Sequence, residues 1–324
     1  MHSFNELSEQ FDRYFSQQQF PETPATLYNA ASYLPKLGGK RVRPVLCLMG
    51  NELFGEIKEH TWQLAAAVEM FHNFSLVHDD IMDNAPLRRK QPTVHVKYGT
   101  STALLAGDVM LVKCYEYLEK IPHPLLNRVL RLFNQTAVEV CEGQQMDMDF
   151  EQPGLQVQLD EYIRMIELKT SVLLAAALKM GAIMGGAGPG NQHHLYEFGR
   201  NLGIAFQVQD DYLDAFGNPE KFGKQQGGDI LAGKKTFLAI HTRDTASPAQ
   251  QQQAQALMAP GTPPEERVAG MLQLYRDCGA DTWALQLKEK YFNLAMEHYE
   301  AAAIISTRKK PLAELAGYLL GRDH

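Results

Sequence analysis

Apolar residues recur at steps of three and four over 62–84, 101–121, 125–147, 160–180 and 191–216, and no proline interrupts any of these stretches. That spacing puts the apolar side chains on one face of a helix. Alternating runs rich in Val, Ile and Thr do not recur, and the Asn-Gly and Asp-Gly pairs that mark hairpins are absent. The pattern predicts an all-α fold, a large bundle of more than four helices. Turn signals fall at Leu37-Gly38-Gly39, Ala85-Pro86, Pro122-His123-Pro124, Gln152-Pro153-Gly154 and the Gly-rich run 185–190, each between two helices. The segment 244–266, rich in Gln and Pro, reads as a loop because helical spacing resumes directly after it.

At 324 residues and 45% apolar, the chain can bury a sizeable core, and it reads as one domain over 1–324. No run of 18 apolar residues occurs and the first fifteen residues are polar and acidic, which predicts a cytoplasmic protein without stable membrane insertion. Cys47, Cys114, Cys141 and Cys278 form no CxxC pair and read as ordinary core thiols rather than zinc ligands or a disulfide framework. A formal net charge of −7 argues against a nucleic-acid partner. Anionic substrates remain possible where carboxylates carry divalent cations and separate Lys and Arg side chains contact phosphate.

Two acidic clusters change the picture. His78-Asp79-Asp80-Ile81-Met82-Asp83 closes one long apolar helix, and Gln209-Asp210-Asp211-Tyr212-Leu213-Asp214 repeats the pattern 131 residues later. On a helix Asp79 and Asp83 sit one turn apart, with side-chain roots roughly 6 Å from each other. Carboxylates crowded at the negative end of a helix dipole cost ~0.3–1 kcal/mol each, so a compensating cation is the natural partner. Oxygen-only ligands suit magnesium, which accepts one or two carboxylates together with substrate phosphates.

Cations follow the same logic. Gly38-Gly39-Lys40-Arg41-Val42-Arg43-Pro44 combines flexible glycines, three basic side chains and a proline suited to a first helical turn. Behind the first acidic cluster come Arg88, Arg89 and Lys90, and the planar guanidinium fork is the preferred bidentate partner of phosphate.

Together DDIMD and DDYLD resemble the two aspartate-rich motifs of the trans-isoprenyl diphosphate synthases, the farnesyl and geranylgeranyl diphosphate synthase family, and GGKRVRP resembles that family's first basic motif. The resemblance spans about 35–240. It implies a helical bundle around a central active-site cavity in which Asp79, Asp83 and Asp210, with Asp80, Asp211 and Asp214 close by, hold magnesium ions, three per site, against an allylic diphosphate. It further implies that Lys40, Arg43, His72 and Arg89 bind isopentenyl diphosphate, and that Arg88, Lys169, Thr170, Gln207, Lys224 and Lys234 surround the allylic diphosphate. Catalysis would then fall to Asp79, Asp80, Asp83, Arg88, Lys169, Asp210 and Lys234. The family usually has Gly where this chain has Lys90, and it forms homodimers.

The implied chemistry is ionisation, condensation and elimination: diphosphate departs, the double bond of isopentenyl diphosphate attacks the allylic cation, and a proton is lost. Product length would be set on the helix of the first motif, where Phe74 and Phe71 lie five and eight residues before Asp79 and small Ser75 adds no second block. A product of fifteen to twenty carbons is expected, with twenty favoured. Alternatives are a longer-chain synthase, a non-catalytic subunit of a prenyl synthase heterodimer, a terpene cyclase, and a His-Asp phosphohydrolase built on His78-Asp79. Gly228 to Lys234 also matches most of a phosphate-binding P-loop, but Lys235 stands where Ser or Thr would ligate magnesium.

Overall fold

The structure of the protein, a computed structural model, describes residues 1–152, 154–217 and 226–321. The chain divides into two compact units. The first comprises Met1–Thr136, Leu173–Tyr196 and Ala302–Leu312, and the second comprises Ala137–Val172, Glu197–Ala301 and the chain from Ala313.

The first unit opens with helix α1 (Phe4–Ser16), which Ser3 and Glu6 start by bonding to each other's backbone N–H. Its Leu7, Phe11 and Phe15 are buried. Helices α2 (Ala25–Lys36), α3 (Val42–Glu52) and α4 (Glu59–Met82) follow. Over Leu64–Phe71 helix α4 is buried on every side, and its run of Ala65, Ala66, Ala67 and Val68 keeps it thin enough for that. Helix α6 (Thr100–Leu118), reached through the short α5 (Val94–Tyr98), packs tightly on α4. A Cβ added at Gly107 of α6 would collide with the ring of His78.

Between α4 and α5 the chain forms a small hairpin, β1 (Leu87–Arg88) pairing antiparallel with β2 (Gln91–Pro92). Its two-residue turn is Arg89-Lys90, with φ of 53° and 63°. These left-handed values are those of a type I′ turn, which ordinarily recruits Asn-Gly. The hairpin was invisible to the sequence pattern because its turn residues carry none of the usual signals.

Helix α7 (His123–Phe150) precedes α8 (Leu159–Ile166), and the expected helix over 160–180 is there with an interruption. Glu167–Ser171 forms a π-helical turn before α9 (Val172–Met184) continues. Helix α10 (Pro189–Phe216) carries the second acidic motif at its end. Tyr162, Ile166, Val208, Phe237 and Tyr275 belong to the buried core of the second unit. Burying each such side chain contributes ~1.5–3 kcal/mol before the entropy of ordering is charged against it.

Two expectations need correction. Within 244–266, Pro248–Leu257 is a helix, because Ser247 and Gln250 form a capping box, Pro248 suits the first turn, and Gln and Ala are good helix formers. Of the four thiols only Cys47 and Cys114 are core residues; Cys141 is exposed and Cys278 half-buried. Among the described residues no helix is long and apolar enough to cross a membrane.

Candidate active site

In the first unit the basic motif is shaped by the one arginine that the sequence reading left unassigned. Arg41 has a left-handed φ of 50° and is 5% exposed. Its guanidinium donates to Glu69 Oε1 at 2.5 Å, Asp12 Oδ1 at 2.8 Å and the Pro35 carbonyl at 3.2 Å. Turned inward, it leaves its neighbour Lys40 exposed.

Arg43 Nη1 donates to His72 Nε2 at 3.1 Å, while its buried Nε has no partner among the described residues. Arg89 donates to the Gly38 carbonyl and lies so close to Gly39 that a Cβ there would be 2.9 Å from its Nη2. Burial, then Arg43, Arg89, Arg88 and Arg41, hold His72 well below the usual imidazole range, so it is a neutral acceptor. Burial also lowers Arg43 to about 10, which leaves it charged at neutral pH. Arg43, His72 and Arg89, three of the four residues assigned to isopentenyl diphosphate, are thus brought together, and Lys40 adjoins them in the chain.

The first acidic motif sits where α4 ends. Asp79 is half-buried, and the Asp83 N–H donates to its carbonyl at 2.8 Å. The exposed Asp83 caps the helix. Asp80 is 1% exposed and takes Arg88 in a fork, with Nε at 2.8 and 2.9 Å from its two oxygens and Nη2 at 2.7 Å. One and two turns back lie Phe74 and the buried Phe71, ring centroids 5.5 Å apart; Phe74 meets His78 edge-on at 4.8 Å and Phe71 meets Phe133 edge-on at 5.4 Å. Ser75 bonds back to the His72 carbonyl at 2.9 Å.

The second unit holds a cavity of about 240 Å³ lined by Lys169, Thr170, Gln207, Asp210, Asp211, Asp214 and Lys234, among others. Lys169 and Thr170 reach it from the π turn, a device that shifts helical phase by one residue and recurs at functional sites. The turn is pressed from one side by α7, where a Cβ at Gly143 would strike the Lys169 backbone. Lys169 Nζ contacts Asp147 Oδ2 at 2.5 Å. Asp211 accepts from the Tyr162 hydroxyl and from Gln207 Nε2 at 2.9 Å, and Thr170 Oγ1 bonds Gln207 Oε1 at 3.2 Å. Burial, reinforced by Asp229 and Asp210, raises the Asp211 carboxyl, and burial beside Asp211 raises the Tyr162 hydroxyl well above its usual range. Asp214 Oδ2 accepts the Asp229 N–H at 3.0 Å. Lys224 lies outside the described residues.

Asp147, Tyr162 and Asp229 line this cavity and were missed. A lone acid or tyrosine in an amphipathic helix carries no signal separating it from surface or core. One turn before Asp147, Gln144 buries both amide atoms without a partner among the described residues.

Six acids against three lysines line the cavity, and every acid offers only hard oxygen. That donor set fits a divalent cation of the magnesium type, and the excess of carboxylates is a charge such an ion would offset. In the first unit the orphaned Arg43 Nε and the cluster around His72 fit an anion held without metal.

A family model described as polyprenyl synthetase matches residues 24–275. The chain belongs to the polyprenyl synthetase family. A short chain isoprenyl diphosphate synthase from Methanothermobacter thermautotrophicus is 38% identical over 303 residues, 93% of this chain and 92% of its own. A crystal structure of a geranylgeranyl pyrophosphate synthase superposes with a TM-score of 0.93 at 40% identity, covering 99% of both chains. The geranylgeranyl pyrophosphate synthase of Corynebacterium glutamicum, solved with isoprenyl diphosphate and magnesium, matches with a TM-score of 0.85 at 27% identity over 98% of both chains. Membership of this synthetase family accounts for the two acidic motifs and the basic motif together, which a phosphohydrolase or a P-loop does not.

Proposed function

We propose that this polyprenyl synthetase is a short-chain trans-prenyl diphosphate synthase. It condenses isopentenyl diphosphate with dimethylallyl, geranyl or farnesyl diphosphate to give farnesyl or geranylgeranyl diphosphate. The observation that carries the reading is the division of labour among charges: one cluster of arginines around His72, and one acid-lined cavity furnished with lysines.

Asp79 and Asp83 of the first acidic motif, and Asp210 and Asp214 of the second, are the residues that would hold magnesium, which when bound would supply Lewis-acid stabilisation of a departing diphosphate. Lys169 and Lys234 add fixed positive charge where negative charge grows as the allylic carbon–oxygen bond breaks, and Thr170 and Gln207 orient the same diphosphate. Arg88, aligned by Asp80, offers its remaining donor edge to that group. Arg43, His72, Arg89 and Lys40 hold isopentenyl diphosphate, whose double bond attacks the allylic carbon. The proton lost from the adduct passes to the released diphosphate, so no separate side-chain base is required.

Phe74, backed by Phe71, closes the space into which the product grows, which supports a chain of fifteen to twenty carbons. The reading takes 1–324 as one functional domain, cytoplasmic and homodimeric. A homodimer is supported by Leu104, Val112 and Tyr115, which share a face of α6 and are 45%, 60% and 42% exposed.

Steady-state condensation with magnesium tests the assignment. Asp79→Asn and Asp210→Asn should each lower kcat by about a hundredfold or more, the scale of removing one preorganised electrostatic contact. Wild-type rates in both variants would remove the two motifs from the chemistry.

A further inference from the structure

We propose that Tyr162 is a positioning residue for the allylic diphosphate subsite, acting through Asp211 and Gln207; the inference rests on the function proposed above. Tyr162 is 4% exposed, in the core of the second unit, with its ring 6.2 Å from that of Phe237. A phenylalanine would pack there equally well, and burying a hydroxyl costs free energy unless it is bonded. Its hydroxyl is bonded to Asp211 Oδ2.

From there a continuous row runs towards the cavity. Asp211 Oδ1 accepts from Gln207 Nε2 at 2.9 Å, and Gln207 Oε1 accepts from Thr170 Oγ1 at 3.2 Å. The row draws on three elements: Tyr162 from α8, Thr170 from the π turn, Gln207 and Asp211 from α10. Both oxygens of Asp211 are therefore engaged by protein donors. With them fixed, the amide of Gln207 has one orientation, its nitrogen on the carboxylate and its oxygen on Thr170. Asp210, next in the chain to Asp211, shares the same stretch of helix. Without the Tyr162 hydroxyl the Asp211 carboxylate can turn, and Gln207 and Thr170 lose their register.

Tyr162→Phe removes one oxygen and keeps the ring. Calorimetry of inorganic pyrophosphate binding in the presence of magnesium should show about three- to tenfold weaker affinity than wild type, the scale of one net hydrogen bond. The KM for the allylic diphosphate should rise by a similar factor while that for isopentenyl diphosphate stays within about twofold, a split that general loosening of the fold would not give. In an Asp211→Asn background the same substitution should have less than about a twofold effect, because its route is already cut. A competent wild type with unchanged pyrophosphate affinity in Tyr162→Phe, or an undiminished effect in the Asp211→Asn background, overturns the proposal alone. A wild type that forms no prenyl product overturns the functional reading and the proposal together.

Discussion

Arg41 in the basic loop and Glu69 on helix α4 form a buried ion pair, Nη1 to Oε1 2.5 Å, with Asn73 Nδ2 also 3.2 Å from the same oxygen. Through it a left-handed residue is locked between Lys40 and Arg43. Removing Glu69 leaves the buried Arg41 guanidinium only the half-exposed Asp12 as a carboxylate partner, which costs up to ~3–5 kcal/mol, whereas replacing both Glu69 and Arg41 with apolar residues of similar volume costs far less. Glu69→Leu should therefore lower the urea midpoint severely, and Arg41→Met in the same chain should restore most of it. Equal losses in the single and double variants would contradict the pairing.

Lys90 occupies a left-handed position at φ 63° in the turn that presents Arg89. Left-handed geometry costs a side-chain-bearing residue ~1–2 kcal/mol, part of which glycine returns through its freer unfolded chain. Lys90→Gly should stabilise the protein by up to about 1 kcal/mol in chemical denaturation. A destabilised variant would show that the lysine side chain makes a compensating contact.

Phe74→Ala should lengthen the product by one or more five-carbon units, seen by chromatography of the dephosphorylated prenols. Its ring is held by Phe71 at 5.5 Å and His78 at 4.8 Å, so neither neighbour is poised to refill the space. An unchanged product would remove Phe74 from the floor of the chain-binding space.

His72 has a folded-state pKa below that of the unfolded chain, so acidification loads protons onto the unfolded state first. Its contribution to stability is complete above about pH 6.5 and is lost as pH falls below that value. Thermal melts between pH 7 and 5 should show a smaller decline for His72→Gln than for wild type. Parallel declines would place the acid sensitivity elsewhere.

Much of this was legible in the residues. The long helices follow from apolar spacing, and DDIMD and DDYLD announce themselves by placing acids one turn apart at helix ends. What escaped was local geometry with no sequence periodicity. A π turn adds one residue to a helix and leaves the apolar stripe almost intact, so Glu167–Ser171 was read as ordinary helix. The Arg89-Lys90 turn uses residues that turns avoid, and its conformation is imposed by strand pairing on both sides. Arg41 read as one of three basic side chains of its motif without a role of its own, and only the fold reveals its two carboxylate partners. Tyr162 and Asp147 matter through what they touch across the second unit, which spacing along one helix does not encode.

Product analysis tests the central claim most directly. Purified protein would be incubated with labelled isopentenyl diphosphate, geranyl diphosphate and magnesium, and the labelled prenyl chains sized. The account predicts farnesyl and geranylgeranyl diphosphate, formed only with the divalent ion. Label remaining wholly in isopentenyl diphosphate, or geraniol and pyrophosphate as the sole products, would contradict it.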